Sequence, residues 1–192
     1  DMEFVATRLA GFDEIAELPG GEDLSRDLLS SIFEEGGKFA AGVLAPLNRD
    51  GDTLGAKWDE SGVAETPGFA DAYRQFAEGG WVGLNQSETY GGQNLPSVLG
   101  TAVSEIWQSA NMAWALCPLL TQGAMEAIAH HASDELREAY LPKLAGGLWT
   151  GTMNLTEPDA GSDLAAVKTK AEERDGAYAI TGQKIFITWG DH

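Results

Sequence analysis

The sequence predicts an α+β chain, with helices over the first two thirds and antiparallel strands after them. Three observations lead there. Apolar residues recur at helical spacing from Phe4 to Leu144. At Gly146-Gly147 that period gives way to short, β-rich runs. Between two such runs stands Asp175-Gly176, a strong two-residue hairpin signal.

Taken in order, Phe4, Val5, Leu9, Phe12 and Ile15 mark an apolar stripe on a first helix. A second is expected over 24–44, with Leu28, Leu29, Ile32, Phe33, Phe39 and Val43 facing inward and a kink at Gly36-Gly37. Residues 48–62 are turn-rich and read as a linker. Thr66-Pro67 is a start signal, Thr as cap and Pro in the first turn, for a helix carrying Phe69, Tyr73 and Phe76 and ending at Gly79-Gly80. Further helices are expected over 98–109, 118–131 and 134–144, the last capped by Ser133. "LWTGTMNL" then reads as a strand, "VKTKAEERDGAYAIT" as a hairpin and 184–189 as another strand. Such a small sheet would leave an apolar edge at Ile185, Phe186, Ile187 and Trp189 without a partner, so a piece of a larger protein is expected.

Composition narrows the function classes. The 192 residues suit one large domain, or one medium domain and part of another, and 43% hydrophobic content with six Trp and seven Phe supplies a core. A formal charge of −18 disfavours nucleic acid and anionic membranes, because phosphate binding depends on Lys and Arg displacing counterions. No apolar run reaches the roughly 20 residues of a membrane span. The single Cys117 cannot form an intrachain disulfide, which fits a reducing, cytoplasmic setting. The N-x-S/T matches at Asn85 and Asn154 read as chance.

Most catalytic motifs are missing. No G-x-G-x-x-G follows a strand and no phosphate-binding G-x-x-x-x-G-K-[ST] occurs. Asn48, Asp50 and Asp52 alternate as in a calcium loop, yet Thr53 stands where Gly is needed and Asp59 where a bidentate Glu belongs. His130 and His131 diverge by about 100° on a helix and cannot share one ion. No metal site is expected. The chemistry concentrates in "LTEPDAGSD", 155–163, where three readings compete: a surface turn, a site for an anionic cofactor, or a catalytic loop around Glu157. Successive backbone N–H groups and two hydroxyls suit the second. Glu157 as a general base is disfavoured, since an exposed Glu beside turn residues has no burial to raise its pKa.

"MNLTEPDAGSD", followed about twenty residues later by "GQKIFITWG", resembles the acyl-CoA dehydrogenase family in spacing and residue type. Upstream, "LAPLNRDGD", "PGFADAYRQFAEGGWVGL" and "ETYGGQNLP" resemble its long members, which carry an extra N-terminal helical segment; the 3-methylmercaptopropionyl-CoA dehydrogenases are such a group. The likeness runs from about Leu44 to Gly190. It implies a multidomain α+β enzyme: an N-terminal all-α domain, a middle β-barrel and a C-terminal helical bundle. This chain would hold an extension and linker (1–62), the helical domain (63–145) and the start of the barrel (146–192), with the bundle absent.

The resemblance further implies FAD, with Met153, Leu155 and Thr156 along the flavin and Gly161 and Ser162 at its phosphates, Ser162 also lying near the acyl-CoA. Phe186 stands where the family often places Trp against the ring system, Ile187 follows it, and Thr188 matches a hydroxyl that hydrogen-bonds flavin N5. Trp189 replaces a common Asn. The catalytic Glu of the family is expected beyond His192, so no residue here inherits that role. The implied reaction takes a proton from Cα and a hydride from Cβ of an acyl-CoA, giving a trans-2-enoyl-CoA, with electrons passing to electron-transfer flavoprotein. A homodimer or tetramer is implied as well. Two alternatives are an acyl-CoA oxidase using oxygen and a non-catalytic helical interaction module; the intact Thr156, Ser162 and Thr188 set argues against the module.

Overall fold

The computed structural model describes residues 1–21 and 23–192. Helices α1 (Met2–Arg8) and α2 (Phe12–Ala16) are short and separated by Gly11, whose φ of 69° turns the chain. The expected first stripe is therefore broken. Phe12 is buried, whereas Phe4, Val5 and Leu9 face solvent. Helix α3 (Arg26–Phe39) begins where the Ser25 hydroxyl accepts from the Leu28 N–H at 3.1 Å. It continues through Gly36-Gly37 instead of kinking, and the irregularity falls later, in a π-turn at Ala40–Leu44. A Cβ on Gly36 would lie 3.3 Å from Trp107, so the bare backbone lets α3 approach an indole.

The expected linker is largely ordered structure. Helix α4 (Ala45–Thr53) follows directly, with Pro46 in its first turn where no hydrogen bond is lost. A hairpin of β1 (Lys57–Asp59) and β2 (Gly62–Ala64) comes next. Asn48, Asp50 and Asp52 thus sit on a helix, and no group of three metal-binding side chains gathers among the described residues. Helix α5 (Phe69–Glu78) starts after Gly68, at φ 89°, and not at Thr66-Pro67. That positive φ favours glycine at the turn, where a Cβ would also press on the end of the Leu47 side chain of α4.

Helix α6 (Ser97–Ala110) agrees with expectation, but α7 (Met112–His131) starts six residues before Pro118, which lies inside it. Asn111 explains the early start. Its side chain accepts from the Trp114 N–H at 3.1 Å and donates to the Leu44 carbonyl at 3.2 Å, tying α7 to the π-turn. Helix α8 (Asp134–Ala145) is capped by Ser133 as expected. No described helix is long and apolar enough to cross a membrane.

These helices share one core. Phe76 meets Trp114 edge-on at 5.2 Å and Trp107 at 5.5 Å, and Phe39 meets Trp107 at 5.6 Å. Burying each such ring contributes about 1.5–3 kcal/mol, and the edge-to-face geometry adds about 0.5–1.5 kcal/mol per pair. Leu29, Ile32, Leu99, Val103 and Met125 fill the remaining space, and Cys117 is buried on α7.

The β region is smaller than expected. Strands β3 (Lys170–Arg174) and β4 (Ala177–Thr181) pair antiparallel through Asp175-Gly176, both at positive φ (52° and 78°), as a tight two-residue turn requires. The expected strands at "LWTGTMNL" and 184–189 are irregular segments without ladders. A strand is defined by its partner, and these two exchange too few backbone bonds to form one. The result is the expected class, a helical domain followed by short β elements.

Candidate functional site

The bend after Leu155 is built around a buried carboxylate. Glu157 and Ala160 exchange backbone hydrogen bonds of 2.9 and 3.1 Å, closing a turn over Pro158-Asp159. The Glu157 side chain is only 6% exposed, which corrects the expectation of an exposed Glu. It accepts from the Lys168 N–H at 2.7 Å, the Thr169 N–H at 3.0 Å and the Lys184 ammonium at 2.8 Å. The Lys184 ammonium, with these backbone donors, holds the Glu157 pKa down to about 2. Such a group stays ionised and is a poor proton acceptor at neutral pH. Glu157 is a structural member of the turn.

Lys184 works on both sides of the site. Besides Glu157 it donates to the Leu155 carbonyl at 2.9 Å. Beside it, the Ile185 N–H donates to the Thr156 carbonyl at 3.0 Å, and the Thr152 hydroxyl donates to the Thr188 carbonyl at 2.6 Å. These bonds bring 152–157 and 184–188 together. Met153, Leu155 and Thr156 thus lie on one segment, and Phe186, Ile187 and Thr188 on its neighbour. Gly161 and Ser162 follow the Glu157–Ala160 turn and make no hydrogen bond to the second segment. Met153 and Phe186 are 60% and 83% exposed.

The other carboxylates of the loop are also engaged. Asp159 pairs with Lys168 at 2.8 Å, and Asp163 accepts from the Ala165 N–H at 3.1 Å. Among the described residues, no hydrogen bond occupies the N–H groups of Gly161 and Ser162 or the hydroxyls of Thr156, Ser162 and Thr188. An acidic loop therefore offers donors, because its acids are held by partners within the fold.

Both segments are moored to the helical domain. The Gly151 N–H donates to the buried Thr121 hydroxyl on α7 at 3.1 Å. Trp189 stacks on Phe69 and donates from Nε1 to the Ala113 carbonyl at 3.1 Å. Phe186 and Trp189 both adopt positive φ (58° and 55°), a conformation that costs an L-residue about 1–2 kcal/mol. A cleft of about 570 Å³ between α6 and α7 is lined by residues such as Thr101, Gln108 and Leu119 and by none of the expected site residues. Of the residues that organise the site, Lys184 escaped the sequence reading. Its signal was a cation directly before the apolar run "IFI", which needs a carboxylate partner when drawn inward.

A family model described as "Acyl-CoA dehydrogenase, N-terminal domain" matches residues 30–148. The chain belongs to the acyl-CoA dehydrogenase family. Over its full length it is 43% identical to the 3-methylmercaptopropionyl-CoA dehydrogenase of Ruegeria pomeroyi, and it spans 33% of that relative's length. A glutaryl-CoA dehydrogenase solved with glutaryl-CoA is 27% identical and superposes with a TM-score of 0.71, covering 86% of this chain and 40% of that one. The acyl-CoA dehydrogenase of Bacillus anthracis complexed with FAD has a TM-score of 0.70 at 24% identity, covering 86% of this chain and 27% of that one. At that identity the likeness is one of fold.

Proposed function

We propose that this chain forms part of the flavin site of an FAD-dependent acyl-CoA dehydrogenase. The observation that carries the reading is the pair of segments joined through Thr152, Thr156, Lys184 and Ile185, with unoccupied donors beside exposed apolar side chains. That donor set fits FAD. Backbone N–H groups at Gly161 and Ser162 suit a pyrophosphate, and no basic side chain is needed because Glu157, Asp159 and Asp163 are internally satisfied. When bound, FAD supplies the hydride acceptor for oxidation of an acyl-CoA thioester to its trans-2-enoyl-CoA.

The chain's own residues then have distinct tasks. Thr156 and Thr188 present hydroxyls held by a braced backbone, so they donate without reorganising as charge develops. Met153, Leu155, Phe186 and Ile187 exclude water from an aromatic face. Ser162 offers a hydroxyl to phosphate or to the acyl-CoA. Proton removal from Cα is assigned to a Glu outside this chain, since Glu157 is committed to Lys184.

The finer reading names 3-methylmercaptopropionyl-CoA as substrate and electron-transfer flavoprotein as acceptor, in a homodimer or tetramer. Family membership and the 43% identical relative support it. We place the domain divisions at 62/63 and 145/146; the first separates segments of sequence, because α3 packs into the same core as α5 to α7. Purified full-length protein should be yellow and release FAD on denaturation. It should reduce electron-transfer flavoprotein with little peroxide per turnover. Colourless protein that cannot be loaded with FAD would overturn the reading, and stoichiometric peroxide would replace the dehydrogenase with an oxidase.

A further inference from the structure

The segment carrying Phe186 and Thr188 has no strand ladder to hold its shape, yet it keeps two bulky residues at positive φ. Something outside it must fix that conformation. Trp189 is the grip. Its ring lies 6.1 Å from that of Phe69 at an interplanar angle of 23°, and its Nε1 donates to the Ala113 carbonyl at 3.1 Å. Phe69 opens α5 and Ala113 lies in the first turn of α7, so one indole clamps onto two helices of the domain core. The next residue back, Thr188, is held from the other side by the Thr152 hydroxyl. Thr188 and Trp189 together wall a cavity of about 250 Å³ with Phe69 and Ala113.

We propose that Trp189 is a positioning residue for the cofactor, setting where the Thr188 hydroxyl and the Phe186 ring stand relative to the Thr156 segment. The proposal rests on the FAD reading above. A residue serving only the core would act through stability alone; Trp189 acts on the site because both of its anchors are made by helices and its neighbour carries the donor. Trp189 is only partly buried and packs against the core from its edge, which favours folding of the Ala variant.

The test uses the full-length holoenzyme with Trp189→Ala and Trp189→Phe, reading the FAD dissociation constant, the visible flavin spectrum and the melting temperature of the cofactor-free protein. Trp189→Ala should weaken FAD about tenfold and shift the flavin bands. Trp189→Phe keeps the stacked ring and loses only the indole donor, so it should recover most of the affinity, remaining about threefold weaker than wild type. An Ala variant with wild-type affinity and bands, whatever its melting temperature, would overturn the proposal. If that variant does not fold, the Phe variant decides: an unchanged dissociation constant overturns it, a threefold rise supports it. Wild-type protein that binds no FAD would overturn the functional reading and this proposal with it, whereas loss confined to the variants leaves that reading standing.

Discussion

Glu157 shows how much one side chain can organise. Its carboxylate gathers the residues just before β3 through two backbone donors and the Phe186 segment through Lys184. Among the described residues the other ion pairs lie at the surface, where each contributes about 0–1 kcal/mol. Removing one partner of an inward pair costs more, because the other charge is left uncompensated. Glu157→Gln should therefore lower the melting temperature by roughly 5–10 °C and expose the 152–157 segment to faster amide exchange. The carboxyl pKa lies near 2 in the fold against an ordinary 4.5, so the stabilisation is complete above 4.5 and lost as pH falls toward 2. The gap in melting temperature between wild type and Glu157→Gln should accordingly narrow across that window. A gap that stays constant from pH 6 to 3 would refute this role for the carboxylate. Nothing local in "TEPD" signals burial, since the partner lies 27 positions away; the turn was legible there and its buried hub was not.

At the scale of elements, the readable signals were those carried within a few residues. Ser25 and Ser133 cap as their side chains suggest, and Asp175-Gly176 makes its turn because the required positive φ is a local property. Pro118 misled because its usual place is a first turn, whereas Asn111 had already started α7. The segments near Met153 and Phe186 have strand-like composition, but a strand needs a ladder and propensity cannot supply one. Asn111 caps α7 and reaches the Leu44 carbonyl while 1% exposed, so Asn111→Ala removes a cap and leaves buried groups unsatisfied. A loss of about 2–3 kcal/mol is expected in urea denaturation, well above that of an exposed cap. A loss below about 0.5 kcal/mol would mean that the link to the π-turn contributes little.

For the whole molecule, charge is the dominant long-range feature. With 30 acidic and 12 basic residues, self-repulsion outweighs the favourable surface pairs, and salt screens repulsion and attraction alike. Because repulsion is the stronger of the two, screening should be stabilising on balance. Raising ionic strength from about 20 to 200 mM should increase the melting temperature by a few degrees. A decrease would indicate that paired charges dominate. The family and its helical architecture were visible because two motifs and the core pattern survive in sequence. The mooring of the last segment through Trp189 was not, because it depends on Phe69 and Ala113 meeting across distant stretches of chain.

Cys117 gives this architecture a built-in clock. It is the chain's single thiol, buried on α7, with its pKa pushed up to about 12 by desolvation and then by the nearby charge of Glu65. A thiol reagent cannot modify it until α7 or its covering residues part, so alkylation rates report how often that part of the fold opens. Loading with FAD should slow the labelling if ligand binding steadies the segments moored to α7, and equal rates with and without FAD would separate the two events.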